Sequence, residues 1–143
     1  MKIIYAISII TLLFISSCKV EPEKINYGKD GCHFCSMTIV DHQHASELVT
    51  AKGKVYKYDA IECLINDLKK RDSSEVGLLL VNDYGYPGEL ISAESATYLI
   101  SEGVPSPMGA FLSAFSDKAA AEAVKSEKGG EIFDWQAVKK QIK

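Results

Sequence analysis

The sequence predicts an α+β fold made of two small subdomains, each of the strand-strand-helix type. Three observations carry that expectation. Short β-favouring runs come in groups with helical stretches after them, without the regular β-α alternation that builds a parallel sheet. Lys52-Gly53-Lys54 separates two such runs as a hairpin turn does. Asp59 and Asp117 stand directly before an amphipathic and an alanine-rich stretch, where helix N-caps belong.

Taken in order, Lys19 to Lys29 is charged, contains Pro22 and has little to bury, so residues 18–29 read as a tether. Met37 to Val40 is a short apolar, β-favouring run. Glu47 to Ala51 and Val55 to Tyr58 are the strands that flank the hairpin turn. Asp59 then caps a helix from Ala60 to Lys70, with Glu62 at its third position and Ile61, Leu64, Ile65 and Leu68 on one face. Arg71 to Ser74 closes this unit, which gives an N-terminal subdomain over 30–74 and a C-terminal one over 75–143.

In the second unit Gly77 to Val81 is an apolar strand, and Asp83 to Gly88 is rich in turn residues. Glu89 to Tyr98 leaves open one strand, two strands or a helical turn. Gly109 to Phe115 predicts a strand. Asp117 caps a helix from Lys118 to Glu127 that Gly129-Gly130 closes. Ile132-Phe133 is a brief strand, and Asp134 caps a last helix running to Gln141. Trp135 and the tyrosines read as core or interface residues.

The first residues have a separate purpose. Lys2 is followed by an apolar run from Ile3 to Phe14, too short to cross a bilayer, which needs roughly 20 apolar residues. A charged start, a short apolar core and small residues at its end make a secretory signal over 1–17. Ile15-Ser16-Ser17-Cys18 resembles the lipobox of bacterial lipoproteins, which implies cleavage before Cys18 and lipidation of that residue. Two or more acyl chains then anchor the domain to a membrane. Lys19 directly after the lipidated residue is compatible with the outer membrane.

The formal net charge of −3 excludes the basic footprint of a nucleic-acid binder. With Cys18 committed to lipid, Cys32, Cys35 and Cys63 remain. An odd number leaves one thiol over in an oxidising compartment, which argues against a purely structural use.

Cys32-His33-Phe34-Cys35-Ser36-Met37 concentrates the chemistry. A thioredoxin-like redox pair sits where a strand runs into a helix, because the helix N-terminus lowers the thiol pKa. Here a β-favouring run follows instead. No His-Asp pair is arranged in sequence to serve a thiol nucleophile. A structural zinc site needs four ligands, which Cys32, Cys35, Cys63 and His42 or His44 would supply, but Cys63 has no partner at knuckle spacing. A structural disulfide among the three thiols is a further reading. Cu(I) is the fourth, since thiolate and thioether donors select it. On a strand Met37 would share a face with Cys35, and His33 or His42 would add an imidazole. Each has a plainer alternative: a methionine near a cysteine is commonly core filler, Cys63 reads as a buried helix cysteine among Ile61, Leu64 and Ile65, and the histidines lie in a loop.

Several segments together resemble the NosL family, lipoproteins that act as copper chaperones for nitrous oxide reductase. They are Gly31 to Met37, the Asp41-His42 pair, Gly53 to Cys63, Pro107-Met108-Gly109, Ala114-Phe115 and the alanine-rich stretch leading to Gly129-Gly130. The resemblance implies Cu(I) binding outside the cytoplasm and transfer to a client enzyme, in company with copper-supply membrane proteins and without catalysis. It implies two α+β subdomains similar in topology to a part of the organomercurial lyase MerB. By the same resemblance Met108, otherwise a packed residue after a Pro-rich turn, is a copper ligand from the second half. Some members of the family lack Cys-x-x-Cys, so the resemblance leaves the exact ligands among Cys32, Cys35, Met37, His33 and His42 open.

Overall fold

The computed structural model describes residues 19–143, as two small antiparallel sheets with helices packed on them. The targeting segment 1–17 and the lipidation position Cys18 lie outside the described residues. Among those described, no helix is long and apolar enough to cross a membrane.

The first sheet has the order β2-β1-β3-β4, from Ser46–Thr50 (β1), Val55–Tyr58 (β2), Val76–Asp83 (β3) and Tyr86–Ser92 (β4). Between β1 and β2 the turn places Gly53 at φ 80°, with the Lys19 carbonyl 2.5 Å from where a Cβ would stand. Only glycine accommodates both the left-handed backbone and that approach. The helix α1, Ile61–Leu68, follows β2 and buries Ile61, Leu64 and Ile65. β3 and β4 meet at Tyr84-Gly85 within the turn-rich segment, and the amide of Gly85 donates to Asp83 Oδ1. Pro87 is accommodated in β4 because that strand is an edge.

The second sheet has the order β6-β5-β7, from Thr97–Ile100 (β5), Leu112–Phe115 (β6) and Glu131–Phe133 (β7). Lys118–Lys128 (α2) and Trp135–Gln141 (α3) complete the chain. Asp117 accepts from the Ala119 amide and Asp134 from the Ala137 amide, so both act as the N-caps their positions announce. Gly129, at φ 74°, ends α2. The undecided stretch 89–98 resolves into the end of β4, a turn and the start of β5.

Three expectations change. The division placed after Ser74 falls inside the first sheet, because β3 and β4 pair onto β1; the sheets part between Ser92 and Thr97. One core also spans both, joining Leu48, Tyr58, Ile61 and Leu64 to Tyr98, Leu112, Trp135 and Val138. Met37 to Val40 makes a single bridge, Gly31 to Thr38, in place of a strand.

The third change concerns the tether. The outward face of the first sheet carries Glu47, Lys57 and Asn82, polar groups that need partners once covered. Residues 19–30 supply them. The Glu23 amide donates to Glu47 Oε1 (2.9 Å), Lys57 Nζ donates to the Lys24 carbonyl and to Asp30 Oδ2 (2.9 Å each), and Asn82 Nδ2 donates to the Tyr27 hydroxyl (2.6 Å). Ile25 is buried in the core. Of the expected tether, residues 19–29 therefore do not hang free; they are strapped to the sheet.

Candidate metal centre

The Cys32–Met37 segment is a tight turn outside the sheets. The Cys32 amide donates to the Met37 carbonyl (2.7 Å) and the Ser36 amide to the Cys32 carbonyl (3.0 Å). Ser36 takes φ 66°, the left-handed conformation that closes the turn and that non-glycine residues rarely adopt. The His33 amide donates to the Lys57 carbonyl (2.8 Å), which fastens the turn to the edge of β2.

Across from this turn, the chain leaves β2 through Asp59 and enters α1. Ala60, not Asp59, is the N-cap, and no side chain caps the helix. The Asp59 carboxylate is used otherwise. Its Oδ1 accepts from the thiols of Cys35 (3.2 Å) and Cys63 (3.3 Å). Cys63 lies four residues after Asp59, a spacing that brings side chains together over one turn.

The result is a cluster of Cys32, Cys35, Asp59 and Cys63, whose ligand atoms all lie within 4.8 Å of one another. Cys32, Asp59 and Cys63 are buried and Cys35 is half-buried; all three cysteines are free thiols. A hydrogen bond from Cys63 lowers the Cys32 thiol to about 6, helped by the backbone amides of Cys35, Asp59 and Phe34. Burial pushes Cys35 up to about 11, and the hydrogen bond to Cys32 raises Cys63. Cys32 is thus the sulfur prepared to carry negative charge, and thiolate is the form that binds metal. Three convergent sulfurs and one carboxylate make a predominantly soft donor set, suited to Cu(I) or zinc rather than to harder ions.

The other sequence candidates are placed unevenly. Met37 is 51% exposed, and the left-handed Ser36 removes the strand geometry that would align it with Cys35. Met108 is 41% exposed and lines a cavity of about 470 Å³ together with Cys63 and Glu62. Neither His33 nor His42 belongs to the cluster. The His33 ring packs on Tyr56 (centroids 4.4 Å apart) and the His42 ring stacks on Tyr27 (3.7 Å). His44 is buried elsewhere, with Nδ1 2.9 Å from Asp41 Oδ2 and Nε2 3.1 Å from Ser113 Oγ, and so ties the loop before β1 to β6.

Sequence reasoning did not select Asp59, and it weighted Cys63 toward packing. The available signal was their spacing of four residues at the entry to α1.

Comparison with known proteins agrees with this architecture. The crystal structure of the copper chaperone NosL from Shewanella denitrificans matches with a TM-score of 0.72 and 23% identity, over 82% of this chain and 95% of that one. At that identity the likeness speaks for the fold. None of the curated proteins compared matches the chain. The NosL family model, however, matches residues 24–143, from the strap through the thiol cluster to the C-terminus. The chain belongs to the NosL family.

Proposed function

We propose that the protein is a membrane-anchored Cu(I) carrier that delivers copper to an enzyme outside the cytoplasm, nitrous oxide reductase being the client its family resemblance implies. The observation that carries the reading is the convergence of Cys32, Cys35 and Cys63 on one buried point beside Asp59. The solved structure of similar fold is described as a copper chaperone, which supports the choice of metal. In this reading the three thiolates hold Cu(I), and the work is binding and transfer without catalysis. In the same reading the half-exposed thioethers of Met37 and Met108, the latter on a cavity that Cys63 also lines, are the soft donors that take the ion over from the buried thiols. Lipidated Cys18 holds the protein at the membrane, the outer membrane by the residue that follows it.

A second reading is structural zinc, favoured by one feature: three cysteines and a carboxylate complete the four ligands a closed tetrahedral site needs. Titration of the reduced full chain against a chromophoric Cu(I) chelator, with zinc present in excess, separates the two. One Cu(I) per chain, lost when all three cysteines are replaced, is the expected result. Zinc retained against Cu(I), or Cu(I) binding indifferent to the cysteines, would overturn the copper reading.

A further inference from the structure

Glu62 precedes Cys63 in the first turn of α1 and is 3% exposed, an unusual place for a carboxylate. Its Oε1 accepts hydrogen bonds from the Ser106 hydroxyl and, at 3.3 Å, from the Ala110 amide. Its Oε2 is buried without a partner among the described residues. Ser106 and Ala110 bracket the loop that carries Met108. The loop is tightly folded: the Gly109 amide donates to the Ser106 carbonyl (3.0 Å), and Gly109 and Phe111 both have positive φ. Glu62, Cys63, Met108 and Ala110 line the same cavity.

A buried carboxylate with one oxygen unsatisfied is unfavourable, and a leucine of similar size would avoid that cost. What leucine cannot do is hold two donors of a distant loop at once. We propose that Glu62 is a positioning residue for copper handling: it clamps the Ser106–Ala110 loop onto α1, so that the Met108 thioether stays at the cavity that Cys63 also lines. The proposal rests on the reading of the cluster and Met108 as a Cu(I) path.

The test uses the full chain, with Glu62→Ala, Glu62→Gln and Ser106→Ala, each with and without Met108→Ala. Two readouts are needed: Cu(I) affinity by chelator competition, and the Met108 methyl resonance in the metal-free chain by NMR. Met108→Ala should weaken Cu(I) binding about tenfold in the parent, the equivalent of one lost contact. In Glu62→Ala it should have almost no further effect. Glu62→Gln, whose amide oxygen accepts the same two hydrogen bonds, should keep the tenfold difference. In the metal-free chain Glu62→Ala and Ser106→Ala should shift or broaden the Met108 methyl signal, and Glu62→Gln should not. An unchanged signal in Glu62→Ala, or an equal Met108→Ala effect in both backgrounds, would overturn the clamp. A parent chain that binds no Cu(I) would overturn the copper reading, and the proposed role with it, even with the methyl signal behaving as expected.

Discussion

Asp59 Oδ1 lies 3.3 Å from Cys63 Sγ, and the same oxygen accepts from Cys35, so one carboxylate fixes two thiols that come from separate parts of the chain. The geometry makes Asp59 an organiser of the sulfur cluster. Asp59→Ala should weaken Cu(I) binding about tenfold, or about 1.4 kcal/mol, because Cys35 and Cys63 lose the group that holds them in place before the ion arrives. Chelator competition measures the loss, and near-UV circular dichroism establishes that the fold persists. Unchanged affinity would mean that the thiols hold their places without it.

Cys63 offers a cleaner discrimination between packing and ligation. Cys63→Ala removes one small apolar atom group from the core, at about 1 kcal/mol, and, on the proposed reading, a copper ligand as well. The expected outcome is a small drop in urea midpoint with a Cu(I) affinity at least about tenfold weaker. A stability loss with copper binding intact would return Cys63 to the role of a core residue.

Much of the fold is legible because its signals are local. Gly53 marks the first hairpin, Asp117 and Gly129 bracket α2, and Asp134 opens α3, each through backbone requirements within a few residues. The misplacements come from long-range partners. Asp59 has the composition of an N-cap, yet two thiols compete for its carboxylate and win. The strap looks like a tether because the groups it satisfies, Glu47 and Asn82, lie on strands far along the chain. The cluster is half visible: Cys-x-x-Cys announces itself and the burial of Cys63 follows from its helix face, while the convergence of Cys63 with Cys32, Cys35 and Asp59 and the left-handed turn at Ser36 are tertiary facts.

The strap is open to a stability measurement. Ile25 is buried in the core, so Ile25→Ala should cost about 2–4 kcal/mol in urea unfolding. A freely hanging tether would show no change.

Stability should also depend on pH through Glu47, whose carboxyl burial pushes up to about 7 from an ordinary 4.5. A raised folded-state pKa contributes stability that is complete below about pH 4.5 and is lost as the pH rises through about 7. The change should be on the order of 2 kcal/mol. Glu47→Gln cannot ionise and should flatten the thermal midpoint across that window. An equally steep profile in the variant would place the dependence elsewhere.

The central claim is that Cys32, Cys35 and Cys63 hold Cu(I) together. X-ray absorption at the copper edge of the Cu(I)-loaded, reduced chain tests it most directly. The account predicts a first shell dominated by sulfur, with a lower sulfur count in Cys63→Ala. A shell of nitrogen and oxygen donors, or a sulfur count unchanged in that variant, would contradict it.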